Sequence, residues 1–189
     1  GCSLQHLNAA DQIAAKQERL LESLTHIGKV EPGTVLPPLT AEPWGYRRKA
    51  RLGVHFMHRE EVVQVGFRER SSKFITEVKR CEVLHPAVGE RMEALAALVN
   101  ELSVRDKVPQ IEVAIGDERA ALVFRHLEAL NDDDEVKLTA FGEANDLAIF
   151  TQAGGPQTIQ RLFPKPAADD GFYLGYQLPN YEVELQFEP

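Results

Sequence analysis

Strands that alternate every second residue, broken by a few amphipathic helices, predict an α+β domain with a mostly antiparallel sheet and two or three helices. Three observations carry this. The hydrophobic period drops to two at Tyr46. A hairpin signal, "QIEVAIGDERAALVFRHL", surrounds Gly116-Asp117. The second half runs β-β-α-β, which sets helices on one side of a sheet.

The elements follow in chain order. Residues 8–28 predict a helix with Asn8 as N-cap and Asp11 three positions on. Ile13, Leu20, Leu21, Leu24 and Ile27 form its apolar face, and Gly28 is the expected stop. "VEPGTVLPPLTAEPWGY" holds four prolines and two glycines, so it reads as a connector dividing residues 1–43 from 44–189. "YRRKARLGVHFM", "VVQVGFRE" and "FITEV" are three strands, the last two separated by the turn "RSSK". Pro86 opens a second helix with Val88, Met92, Leu95, Val99 and Leu102 as its buried stripe. "NDDD" at 131–134 caps a third helix reaching about Ala144. "LAIFTQ", "TIQRLF", "FYLGYQL" and "YEVELQF" complete the strands.

At 189 residues, with 43% hydrophobic and 26% charged residues, the chain has the composition of a soluble protein large enough for a real core. Its apolar runs are far below the roughly 20 residues that span a bilayer, so no membrane role is expected. "GCSLQHLN" lacks the basic start and apolar block of a signal peptide. Two cysteines are too few for a disulfide framework and favour a cytoplasmic setting.

The net charge of −8 conceals an uneven distribution. Residues 44–80 carry ten Lys or Arg against four Glu, leaving an acidic remainder. A basic block on an acidic body suits a local polyanion site, or else a solvated sheet face. No G-x-G-x-x-G, Walker loop, G-x-S-x-G elbow or H-E-x-x-H occurs, so nucleotide, hydrolase and zincin readings have no sequence support. His55 and His58 fall in a strand, and His26 near a helix end, where structural roles suffice.

Aromatic and basic residues interleave in "WGYRRKAR" and "GFRERSSKF". Aromatics stack on exposed bases while arginines hold phosphates, the combination that binds looped or single-stranded RNA. Phe67 and Phe74 are nevertheless expected in the core. The candidate RNA contacts are Arg47, Arg48, Lys49, Arg51, Arg68, Arg70, Lys73 and Arg80. Neighbours in a strand point to opposite faces, and Arg48 alternates with Ala50, Leu52 and Val54. The Arg47/Lys49/Arg51 face is therefore the expected RNA side. Cys81, in "VKRCEVLHP", reads from its residues alone as a nucleophile, a metal ligand or a buried thiol, with the buried thiol favoured by Val83 and Leu84.

"GCSLQHL" at the start, "PWGYRRKARLGV" at 43–54, "VGFRERSS" at 65–72 and "RCEVLHP" at 80–86 together resemble the bacterial 23S rRNA uracil-C5 methyltransferase family. The resemblance follows the whole chain in order. It implies an S-adenosylmethionine-dependent enzyme that makes 5-methyluridine in 23S rRNA and carries a 4Fe–4S cluster. Cys2 then corresponds to the third cluster thiolate and Cys81 to the distant fourth, with two further ligands expected before residue 1. "LQFEP" corresponds to the segment leading into the catalytic Rossmann-like domain.

The resemblance thus implies the central domain of an RNA methyltransferase, with the catalytic Rossmann-like domain absent. Residues 1–43 would be the N-terminal helix and Pro-rich connector following the cluster-cysteine segment, and 44–189 the central α+β domain that binds rRNA. The family's covalent chemistry, in which a thiolate adds to uracil C6 and a base removes the C5 proton, matches no residue here. The implied partners are 23S rRNA and the remaining domains of the same polypeptide. The alternative is a stand-alone α+β RNA-binding or protein-interaction module.

Overall fold

The structure is a computed structural model that describes residues 3–72, 74–166 and 171–189. It divides into two compact units, Gly1–Pro43 and Trp44–Pro189.

In the first unit, helix α1 spans Ala9–Ser23 and continues as a π-turn over Leu24–Gly28. Asn8 caps it, its side chain accepting the Asp11 amide at 2.9 Å. The left-handed stop is Lys29, at φ 54°, rather than the expected Gly28. The wide π-turn delays chain reversal by one residue. No residue of α1 is buried, and Ile27 is 83% exposed.

The second unit is built on a seven-stranded sheet. Its strands are β1 (Lys49–Met57), β2 (Val62–Arg68), β3 (Ile75–Glu77), β4 (Gln110–Ile115), β5 (Ala120–Arg125), β6 (Ala148–Gln152) and β7 (Ile159–Phe163). The order across the sheet is β3-β2-β1-β4-β5-β6-β7. Among these seven strands β5 and β6 run parallel, joined by the crossover helix α4 (Asp132–Asn145). The remaining pairs are antiparallel.

One sheet face carries the main core. Leu52, Val65, Ile111, Val113, Leu122, Phe124 and Ile149 meet Met92, Leu95, Val99 and Leu138 from the helices, all at most 2% exposed. Alternation dictates this, because each second residue of a strand shares a face.

The single helix expected from Pro86 is two helices, α2 (Pro86–Gly89) and α3 (Met92–Asn100). The Gly89 carbonyl accepts the Cys81 amide at 2.9 Å, taking the acceptor a continuous helix would use. A side chain on Gly89 would collide with the Cys81 carbonyl. All five residues of the expected stripe are nonetheless buried.

Asn131 and Asp134 form a reciprocal capping box at the start of α4. Asp134 is fully buried and also accepts the Ser103 amide (2.7 Å) and hydroxyl (2.6 Å). Burial alone would push its carboxyl up. The bonds from Ser103 and Asn131 outweigh that and hold it below the ordinary carboxylate value.

The opposite face is covered only in part. The hairpin β8 (Leu174–Leu178) and β9 (Val183–Phe187) lies outside the main sheet. Leu174, Phe172 and Phe187 pack on Ala114, Ala121, Val123, Ala148 and Phe150. Gly116 permits this docking: its missing side chain would lie 2.6 Å from the Gly175 carbonyl. Asp117 then ties the turn down, its amide donating to Gly175 (2.7 Å) and its carboxylate accepting the Gln177 amide (2.8 Å). Among the described residues, no helix is long and apolar enough to cross a membrane.

Candidate nucleic-acid interface

The basic segment enters the sheet through an unexpected pairing. The Arg47 amide donates to the Val83 carbonyl (2.9 Å), and the Arg47 carbonyl accepts from His85 (3.0 Å). Gly45, at φ 64°, donates to Glu82 at 2.8 Å. "WGYRR" and "RCEVLHP", about forty residues apart, are therefore laid side by side as a parallel bridge at Arg47 and Leu84. Trp44 (46% exposed) and Tyr46 (57% exposed) flank this junction at the surface. His85 caps α2, its Nδ1 accepting the Ala87 amide at 3.3 Å. Burial, and then the charge of Arg48, lower its pKa and favour the neutral ring that this bond needs.

Along β1, Leu52 and Val54 enter the core, so Lys49, Arg51 and His55 fall on the other face. Cross-strand register adds Gln64 opposite His55 and Glu112 opposite Arg51. Arg68 reaches the same face, its side chain lying beside Gly53.

The candidate RNA contacts separate by their partners. Arg48 is bound to Asp117 (2.8 Å), and Arg80 is held between Glu82 (2.7 Å) and Glu90 (3.1 Å). Arg51 meets Glu112 at 3.2 Å and remains 69% exposed. Arg47, Lys49, Arg68 and Arg70 are exposed, and no side-chain ion pair to them occurs among the described residues. Lys73 lies outside the described residues. Phe67 packs on the core as expected, whereas Phe74 is 65% exposed, because it borders the edge strand β3, whose helix-side residue Thr76 is exposed as well.

Cys81 is half-buried against the core as a free thiol. Cys2 lies outside the described residues. Among the described residues no three His, Cys, Asp or Glu side chains converge as metal ligands. Those residues therefore do not themselves fit a four-thiolate cluster.

Nothing in the linear sequence assigns a residue of β4, β5 or β6 to the basic face. Alternation gives Gln110 and Arg125 a side of their own strands, but only strand order shows that this side continues the face of Arg51.

No protein-family model matches the sequence. The chain is 46% identical over all 189 residues to the 23S rRNA (uracil(1939)-C(5))-methyltransferase RlmD of Hahella chejuensis. It is 49% identical over 189 residues to the protein of that name from Alkalilimnicola ehrlichii, and 50% over 168 residues to that of Nitrosococcus oceani. It spans 42%, 42% and 38% of their lengths respectively. The fold is similar to the crystal structure of Pyrococcus abyssi tRNA (uracil-54, C5)-methyltransferase in complex with S-adenosyl-L-homocysteine. The TM-score is 0.63 at 21% identity, covering 98% of this chain and 44% of that one. The similarity carried by four motifs thus extends over the whole chain.

Proposed function

We propose that this chain, homologous from end to end to a segment of the 23S rRNA (uracil-C5)-methyltransferases, is the RNA-holding central part of such an enzyme. The observation that carries the reading is the full-length match at 46% identity. The open basic face supports it: Lys49, Arg51 and Arg68 project from adjacent strands, where phosphates would lie along them. In this reading 23S rRNA is the partner and the cytoplasm the setting. S-adenosylmethionine and the catalytic groups belong to the rest of the polypeptide. Cys81 is one cluster thiolate, as its motif implies, with the other three supplied from outside the described residues.

The chain should bind an rRNA fragment in a salt-dependent way without methylating it. Arg47→Glu with Lys49→Glu should weaken binding about tenfold or more and lower the slope of log K against log salt by about 2. An unchanged slope would reduce the face to a solvated surface. Methyl transfer by this chain alone would refute the division of labour.

A further inference from the structure

Strand register carries the basic face beyond β1 and β2. Gly53 pairs with Gln110, Gln110 with Arg125, and Arg125 with Gln152. Directly paired residues project on the same side of a sheet. This row therefore lies on the face of Arg51, one step along the strands from the row containing Glu112, Val123 and Phe150. The Gln110 side chain confirms the sidedness by donating to Glu112 at 2.8 Å. The β8–β9 hairpin packs on Val123 and Phe150, while in the next row Arg125 is exposed and Gln110 and Gln152 are half-buried. Arg125 is exposed, and no ion pair to it occurs among the described residues.

Among the described residues the rest of this face is mostly polar, with Ile75 lying over Gly53; Arg51, His55, Arg68 and Arg125 are exposed and Gln64, Gln110 and Gln152 half-buried. One arm holds His55, Gln64, Arg51 and Arg68. The other holds Gln110, Arg125 and Gln152. Two strand spacings and two residues along a strand set Arg51 and Arg125 about 12 Å apart. Glu112 sits between the arms and holds both Arg51 and Gln110.

We infer that Arg125, with Gln110 and Gln152, forms a second arm of the RNA surface that takes an unpaired stretch of RNA. This rests on the RNA-holding role proposed above and extends it to strands β4, β5 and β6. Arg125 contacts a phosphate, while the two amides offer both donor and acceptor to a base edge. An A-form duplex ties up its Watson–Crick edges in pairing and buries its Hoogsteen edges in a deep, narrow major groove, whereas an unpaired strand presents both. The arrangement therefore selects single-stranded RNA.

Fluorescence anisotropy of an unstructured uridine-rich RNA oligonucleotide, titrated with the full chain at several salt concentrations, tests this. Arg125→Glu should weaken binding about tenfold, and Arg125→Gln should lower the salt slope by about 1. Gln152→Ala should weaken binding a few fold with the slope unchanged. Arg51→Glu serves as reference, and circular dichroism melts confirm that each variant is folded. If Arg51→Glu weakens binding and the Arg125 variants do not, the second arm is refuted while the RNA-holding role stands. If neither does, that role fails and takes the arm with it. Blunt duplex RNA competing as well as the single strand would overturn the selectivity.

Discussion

The two faces of the seven-stranded sheet are written by the same alternating strands and carry opposite chemistry. On the helix side, β1 contributes Leu52 and Val54, β4 Ile111 and Val113, and β5 Leu122 and Phe124, all buried. On the other side the same strands contribute Lys49 and Arg51, then Gln110 and Glu112, then Arg125. The first face has little freedom, because its apolar side chains share one buried core with Met92, Leu95 and Val99 of α3 and Leu138 of α4. The second has freedom wherever the β8–β9 hairpin does not reach. Stability is expected to reside in the first face and recognition in the uncovered part of the second.

The sharpest way to break that division is Leu122→Ala. Leu122 is 0% exposed at the centre of the helix-side core, and its truncation should cost about 2–5 kcal/mol in chemical denaturation. RNA affinity of the molecules that remain folded should be unchanged. A loss of affinity without a loss of stability would erase the distinction between the faces.

A smaller effect is expected at the helix edge of the core. Asp134→Asn removes a carboxylate that accepts from Ser103 and Asn131, and should cost about 1–2 kcal/mol. The sign of its pH dependence follows from the lowered folded-state pKa. The unfolded chain binds the proton more tightly, so the contribution is complete above the ordinary carboxylate value and is lost as pH falls through the folded one. The variant's stability should therefore decline less on acidification than the parent's. An identical acid limb in denaturation curves would remove Asp134 from the network.

The smallest effect separates arginines that are latched from those that are open. Arg48 and Asp117 are both about two-fifths exposed, so Arg48→Gln should change stability by less than about 1 kcal/mol. It should also change RNA affinity far less than Arg51→Glu. Equal losses of affinity would return Arg48 to the proposed RNA contacts.

Much of this fold is legible in the residues, and the limits of that legibility are physical. Val88, Met92, Leu95, Val99 and Leu102 are recognisable as a buried stripe, because helical spacing puts them on one side of any helix they form. The Gly116-Asp117 turn and the Asn131 cap are equally plain, since both depend on a few neighbouring residues. The break at Gly89 is not, because the Cys81 amide that takes its carbonyl comes from a different segment. Hydrophobicity sends Phe74 to the core, yet its place beside the edge strand β3, where Thr76 is exposed too, leaves it in solvent.

The basic site shows the same boundary. Alternation alone separates Arg48 from Lys49 and Arg51. It does not show that Asp117 engages Arg48 or that Glu82 and Glu90 engage Arg80, nor that Arg125 stands on the face of Arg51. The α+β class, most of the strands, the basic block and the kinship with uracil-C5 methyltransferases all follow from the linear chain. They depend on local periodicity, composition and motif order. The strand order, the join of "WGYRR" to "RCEVLHP" and the partial cover of the second face come from tertiary structure alone. Each of those is a contact between segments distant in sequence, and such contacts are selected by packing the whole sheet at once.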